Sequence, residues 1–391
     1  MLQRASFCTR VVLAAEIGAD DAAAWSALES RAVEPNAYLS PHFVLPAARY
    51  LTPELPVQVF LVERLTGTHR DVVGVGVFTQ GAATPRFPLP RLVAYRTEHT
   101  FLNGLLLDRA CPSDALRALL THVHEALPRY KALWIERAWA DGALVEVLQS
   151  AGHCLAVSPQ ASGSVARAIL FPAECKTNLL DKALAARLRD LDRKRRRLSE
   201  QGRVGWRWHR NAGVPQDAVE AFLALEHMGW KGEEGTSLRS KPAGEVFFRE
   251  VVAGFASEKR AFMTELTLNG EAIASSCNFI SGRVGFGFKI GWNPQYRIAS
   301  PGQLNEIELM RNPAQVAGDL DYIDSGAGPD SWIDKLWLAR RHLTTLSIPT
   351  RASGAYTLQL MNWAKQLKHR LNHRANATKP ESANLLSGAA S

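Results

Sequence analysis

The residues best equipped for chemistry lie in the second half of this 391-residue sequence, where Arg297, Ser300, Pro301, Gly302 and Gln303 open a helical run to about Met310. Ser300 stands at the N-cap and Pro301 at the first helical position, so backbone N–H groups and the helix dipole converge on one point. Such a point binds phosphate, with Gly302 keeping side-chain bulk away and Arg297 adding charge. The same string also spells an ordinary capped helix start. Just upstream, Gly291 and Trp292 end a strand whose N–H groups are candidate donors to a developing oxyanion. Candidate bases are Asp324, Glu306 and Glu308. Asp324 precedes a Ser325–Gly328 turn that it could equally cap. Glu306 and Glu308 are two residues apart on one helix, so at most one faces a given cleft.

Four further residues suit an anionic substrate. Lys231 follows Trp230 into a glycine-rich stretch, Gly229 to Gly235, Lys289 lies on a strand, and Lys335 lies early in a segment read as helical. Three have a plainer role, core packing for Trp230 and a solvated face for Lys231 and Lys289, while Lys335 is a candidate to close on a phosphate or carboxylate. His227 reads as structural. The net charge of +8 is concentrated at Arg187, Arg189, Arg193, Lys194, Arg195, Arg196 and Arg197. Leu180, Leu184, Leu188, Leu191 and Leu198 form the apolar seam of that helix, and the basic residues lie mostly off it. They form a solvated face, steer an anionic donor, or contact tRNA phosphates.

The elements that position these residues follow from periodicity. Residues 262 to 268 alternate, Asn269-Gly270 marks a two-residue hairpin turn, residues 272 to 280 form a second strand, Ser281-Gly282 a second turn, and residues 284 to 292 a third strand. Before this antiparallel meander come a strand at 203–209 and amphipathic helices at 216–227 and 243–256. After it come the Gln303 helix, a strand at 320–323, a helix at 331–342, a strand at 345–348 and a helix at 356–371. The first half repeats the order. Strands at 11–17, 57–65, 72–79, 101–107 and 133–136 are interleaved with helices at 23–32, 41–50, 113–127 and 144–151. Where the second half has Arg297–Gly302, the first has Leu107 to Asp114. Asp108 and Asp114 there repel a polyphosphate and no glycine admits one, so the first half is expected to shape the acceptor side only.

The turn Arg297-x-x-Ser300-x-Gly302 resembles the R-x-x-G-x-G/A loop that holds the coenzyme A pyrophosphate in Gcn5-related N-acetyltransferases (GNAT), with Ser300 in place of the first glycine. The wider string is Gly229-Trp230-Lys231-Gly232-x-x-Gly235-Thr236, Lys289 to Trp292, Ser300 to Gly302, and Asp324-x-Gly326-x-Gly328 with Lys335 and Trp337. It resembles acetyltransferases of the cellulose-biosynthesis CelD family, which are similar to the FemAB transferases. The resemblance implies an α/β (α+β) fold of two tandem GNAT-like acyl-CoA N-acyltransferase domains, each a mixed, mostly antiparallel sheet flanked by helices. The domains span 1–175 (degenerate) and 176–375, followed by a disordered tail at 376–391. It implies transfer of an acyl group from acetyl-CoA or another acyl-CoA to an amine or hydroxyl of a small-molecule or polysaccharide-precursor acceptor. An aminoacyl-tRNA donor, as in Fem-type relatives, and a non-catalytic binding protein are the alternatives.

Composition sets the remaining bounds. With 46% hydrophobic and 21% charged residues, both halves can build a core. No apolar run of about 18 residues suggests a membrane span, and the first 21 residues lack a signal peptide's pattern. Five dispersed cysteines fit neither a disulfide framework nor a zinc site. No metal and a cytoplasmic location are expected.

Overall fold

The computed structural model describes residues 6–85, 87–155 and 159–377. Its strands are β1 (Ser6–Leu13), β2 (Gln58–Thr66), β3 (His69–Gly81), β4 (Arg91–Ala94), β5 (Leu106–Leu107), β6 (Ala132–Trp139), β7 (Gln160–Leu170), β8 (Val204–His209), β9 (Ala261–Leu268), β10 (Glu271–Ser281), β11 (Val284–Trp292), β12 (Tyr322–Asp324) and β13 (Ala339–Pro349). They form one sheet in the order β1-β2-β3-β4-β6-β13-β7-β12-β11-β10-β9-β8, with β5 paired to β3 beside that path. The result is a mixed α/β fold in which one order of elements occurs twice.

The meander β9-β10-β11 arises where the sequence places it. Asn269 and Gly270 take positive φ of 52° and 84°, the geometry that lets a two-residue turn match the twist of its strands. A bulge interrupts the β10-β11 pairing, because Cys277 faces Lys289 whereas Asn278 faces Gly287. The extra residue, Phe288, changes the parity of β11. Phe286 and Phe288 pack into the core beneath the helices Gln216–His227 and Pro242–Ser257, while Ile290 and Trp292 approach Gly302.

The halves are joined covalently in sequence and again by their strands. β13, near the end of the chain, pairs with β6 of the first half on one side and β7 on the other, and β7 pairs with β12 of the second half. One core cluster holds Trp25 and Phe43 together with Phe222, Phe247 and Phe286. Each such buried aromatic contributes roughly 1.5–3 kcal/mol.

Three expected elements are corrected. The helix at 331–342 is a short 3₁₀ turn, Trp332–Lys335, followed by β13. Two-sided sheet pairing outweighs the local helical pattern, and Thr344, Thr345 and Ile348 suit a strand. Of the first-half strand expected at 101–107 only β5, Leu106–Leu107, forms; an unforeseen strand, β4, shares the β3 edge with it, and the chain between the two leaves the sheet. β7 was not foreseen, since Gln160-Ala-Ser-Gly-Ser is a poor strand former that is held by partners far along the chain. The last helix is longer than expected, Ala352–Ala377. The tail from 378 on lies outside the described residues.

Candidate active site

β11 and β12 run parallel for three residue pairs only, Val284–Tyr322, Gly285–Ile323 and Phe286–Asp324. β12 then ends, while β11 continues to Trp292. One edge of β11 therefore has no strand partner beyond Gly287 among the described residues. Backbone groups on such an edge can pair with an extended ligand.

At the far end of β11 the helix Pro301–Arg311 begins. Ser300 lies in the left-handed region (φ 53°, ψ 56°), which an L-residue adopts at a cost of roughly 1–2 kcal/mol. The site therefore requires backbone geometry natural to glycine, although serine occupies it. The expectation that Ser300 caps the helix is corrected: its side chain accepts no hydrogen bond from the first turn. Lys194 Nζ instead donates to Ser300 Oγ at 3.0 Å. Gln303 accepts from Arg187. Both cations belong to the helix Lys182–Ser199, which thus lies against the turn. Pro301 occupies the first helical turn and Gly302 packs close to Ile290, where an added Cβ would come within 3.2 Å of Cδ1. Arg297 is exposed and has no carboxylate partner among the described residues. Gly291 is needed for packing, since an added Cβ would lie 2.5 Å from the backbone N of Glu226.

A cavity of about 580 Å³ lies along the open side of β11, lined by Lys231, Ser276, Lys289, Ile290 and Glu306, and by Ser325 to Gly328 and Trp337. The first half supplies Glu98, His99 and Phe101. These three residues come from the segment that separates β4 from β5. A second cavity of about 450 Å³ shares Glu98, Phe101, Gly326 and Gly328 with the first.

The two carboxylates expected to act as bases are placed very differently. Asp324 is fully buried, accepts from Arg167 of β7 at 3.2 Å and from the backbone N–H of Gly326 at 3.0 Å, and is not on the cavity wall. Arg167 also donates to the carbonyls of Phe101 and Ala327. Asp324 therefore holds the turn and the first-half loop together. Glu306 faces the cavity with no ion pair among the described residues, and burial raises its carboxyl to about 7. Glu308 points elsewhere, toward Arg195 and Arg311.

Lys231 and Lys289 meet at one buried carboxylate, their Nζ atoms 3.5 Å and 3.2 Å from Glu226 Oε1. Burial, and then repulsion from Lys289, lowers the Lys231 ammonium. Burial, followed by the nearby lysines Lys289, Lys231 and Lys241, depresses His99 to about 3 and keeps its imidazole neutral. Trp230 begins the short turn Trp230–Glu233. Lys335 is exposed and off the cavity wall, because the helix expected to carry it is not formed. The structure thus brings together Lys231, Lys289 and Glu306 in the cavity, and Arg297 to Gln303 at the helix start.

Sequence reasoning missed Glu226, Arg167 and the 98–101 segment, and it named Arg187 and Lys194 only as members of the basic run, without placing them at the turn. Arg187 and Lys194 are seven residues apart, on one helix face. That spacing was the available signal. Nothing local marks Glu226.

Among the described residues no helix is long and apolar enough to cross a membrane, and no three His, Cys, Asp or Glu side chains gather as a metal site. Residues 185–332 fit the family profile described as an acetyltransferase (GNAT) domain. No curated protein matches the chain in sequence. Among solved structures, that of FemX superposes with a TM-score of 0.53 at 9% identity, covering 86% of this chain and 96% of that one. A C-terminal domain from Agrobacterium fabrum assigned to a putative lysylphosphatidylglycerol synthetase gives 0.52 at 12%, covering 88% and 96%. A conserved protein of unknown function from Bacteroides thetaiotaomicron gives 0.50 at 11%, covering 85% and 98%. At these identities the likeness is one of fold. The helix start, the β11–β12 pair and most of the cavity fall inside residues 185–332, the segment that matches a GNAT acetyltransferase domain.

Proposed function

We propose that the protein transfers an acyl group from an acyl-coenzyme A thioester to an amine or hydroxyl acceptor, with residues 176–375 carrying the chemistry and residues 1–175 completing the acceptor cavity. The observation that carries this reading is the pairing of two features on one helix. Its N-terminus opens on left-handed Ser300, has Gly302 in its first turn and is flanked by Arg297, Arg187 and Lys194. Its second turn puts a buried, raised carboxyl, Glu306, on the cavity wall. The turn fits a pyrophosphate: Gly302 leaves room for close approach, and three cations stand within reach.

The thioester supplies an acyl group already activated for transfer, so the protein's task is positioning and proton transfer. The acceptor's lone pair attacks the thioester carbonyl, a C–N or C–O bond forms, and the C–S bond breaks. Glu306 receives the acceptor's proton and returns it to the departing sulfur. Backbone N–H groups on the open edge of β11, toward Gly291 and Trp292, are the donors to the developing oxyanion. The motif string from Gly229 to Trp337 supports the finer kinship with CelD-type acetyltransferases acting on an envelope or exopolysaccharide precursor, in the cytoplasm where acyl-coenzyme A is made.

Acetyl-coenzyme A at about 100 times its Kd adds ~2.7 kcal/mol to the folded state, which raises the melting temperature. Arg297→Glu removes the increase. No increase with any acyl-coenzyme A would overturn the reading. A second reading, an aminoacyl-tRNA donor, is favoured by exposed Arg189, Arg196 and Arg197, which have no carboxylate partner among the described residues. In that case tRNA binds with a steep salt dependence, and serine at these three positions weakens it.

A further inference from the structure

The cavity contains a charge arrangement that acyl transfer alone does not require. Lys231 and Lys289 both reach Oε1 of Glu226, a carboxylate with no exposed surface, while its Oε2 accepts the backbone N–H of Leu238 at 2.8 Å. Two cations thus share one anion in a wall that also holds Phe101, Phe288 and Trp337.

The loop after Glu226 is built to hold this geometry. The N–H groups of Thr236 and Ser237 donate to the carbonyl of Lys231 at 2.7 Å and 3.0 Å. Gly235 turns the chain back with a φ of 70°, and a Cβ at Gly232 would collide with the carbonyl oxygen of His227. His227 Nδ1 bonds Ser237 Oγ at 2.7 Å. The glycines of the Gly229–Thr236 motif therefore fix the backbone that carries Lys231. Each ammonium has three donors, and Glu226 Oε1 occupies one on each.

A second observation points the same way. Asn278 Nδ2 and Trp337 Nε1 are buried on this cavity's wall and have no hydrogen-bond partner among the described residues. Both are donors. Buried donors of this kind are normally satisfied, so the complementary ligand is rich in acceptors. His99 is neutral, and Glu98 stands at the rim with its side chain 70% exposed.

We propose that the acceptor carries a carboxylate or phosphate group, and that Lys231 and Lys289, organised by Glu226, bind that group while Asn278 and Trp337 donate to the same or a neighbouring oxygen. This rests on the transferase reading, which it narrows to acceptors bearing an anionic group. Neutral sugars and simple amines are then poor substrates. The 3.2 Å and 3.5 Å contacts to Glu226 leave the pair one positive charge in excess, which a single negative charge neutralises.

The test uses the full chain with its lysines reductively ¹³C-methylated, a change that keeps their charge. The Lys231 and Lys289 signals, assigned through Lys231→Arg and Lys289→Arg, are followed by NMR during titration with acetate, inorganic phosphate and, as the neutral control, acetamide. Both signals should move saturably with the two anions and not with acetamide, and Lys335 should stay still. Lys289→Met should weaken the response of Lys231 by about tenfold, the loss of one charge-assisted bond. Glu226→Gln, which keeps an acceptor for Leu238 N–H, should tighten anion binding. The proposal is overturned if the two signals stay still, follow Lys335, or respond equally to acetamide. If that happens while acetyl-coenzyme A still raises the melting temperature of the wild type, the donor reading stands and only the anionic acceptor falls.

Discussion

The chain contains two helix starts in equivalent places, Cys111 to Asp114 and Ser300 to Gln303, each following the end of a meander. In the first, Asp108 is nearly buried and holds Arg31 Nε at 2.6 Å and the N–H of Ala110 at 2.9 Å. Arg109 donates to the carbonyls of Ser30 and Arg31. Every charge in that turn is answered from within the first half, and Asp114 adds another negative charge in the first helical turn. In the second, Arg187 and Lys194 lean onto the turn, and Arg297 stays exposed. The same architecture is closed by its own ion pair in one copy and faced by basic side chains in the other. The residues within a few ångströms of the first turn decide which.

The comparison extends to the third strand. β11 runs unbroken with a bulge at Phe288, whereas its first-half counterpart is broken into β4 and β5. The excursion between them carries Glu98, His99 and Phe101 into the second half's cavity. One copy has thus become part of the wall of a cavity that lies mostly in the other.

The largest expected effect tests whether chemistry sits in the second half alone. Glu306→Gln keeps shape and removes the base, so turnover should fall by about 10²–10⁴-fold while the acetyl-coenzyme A melting shift survives. In the wild type the rate should rise with pH through about 7 as Glu306 loses its proton. The stability sign is opposite. A folded-state value of about 7 against an ordinary 4.5 means that the folded protein binds the extra proton between those limits. Stability then falls as pH rises across that window, by at most about 3 kcal/mol, and Glu306→Gln flattens the slope. Normal turnover after the Glu306→Gln substitution would move the base elsewhere in the cavity.

A smaller effect probes the first helix start. Arg31→Ala leaves the Asp108 carboxylate without its cation and should cost about 1–3 kcal/mol in a denaturant titration. The acetyl-coenzyme A shift should persist. If it disappears instead, the first turn contributes to donor binding and the two starts are not functionally distinct.

Much of this contrast could be read in the sequence, and the reason is local. Asn269-Gly270 and the alternation around it specify the meander, and the acidic Asp108 and Asp114 against Arg297 and Gly302 already separate the two turns. What escaped depends on distant pairing. Lys194 meets Ser300 across 106 positions of chain, and Arg167 of β7 meets Asp324 across 157. β13 exchanged a helical pattern for two strand partners, which no window around residues 331–342 could show. Asp324 is a candidate base in the sequence because it follows a strand and precedes a turn. Its burial and the Arg167 clamp follow from β7, a strand whose sequence hardly resembles one.

The smallest expected effect is also the sharpest on the comparison, because glycine relieves strain at one start and relieves none at the other. Ser300 is left-handed, whereas Cys111 at the matching position has a φ of −153°, outside the left-handed region. Ser300→Gly relieves a conformational cost of roughly 1–2 kcal/mol but deletes the bond from Lys194, worth about 1 kcal/mol, and loosens the unfolded chain. These contributions nearly cancel, so the net change should lie within about 1 kcal/mol of zero, with the acetyl-coenzyme A shift intact. Ser300→Ala keeps the strain and loses the bond, so it should melt below Ser300→Gly. Cys111→Gly has no strain to relieve and should destabilise by about 0.5–1 kcal/mol. Calorimetry on the three variants reads the order directly. If glycine destabilises both positions equally, Ser300 has no glycine-like role, and the cradle would then rest on its cations alone.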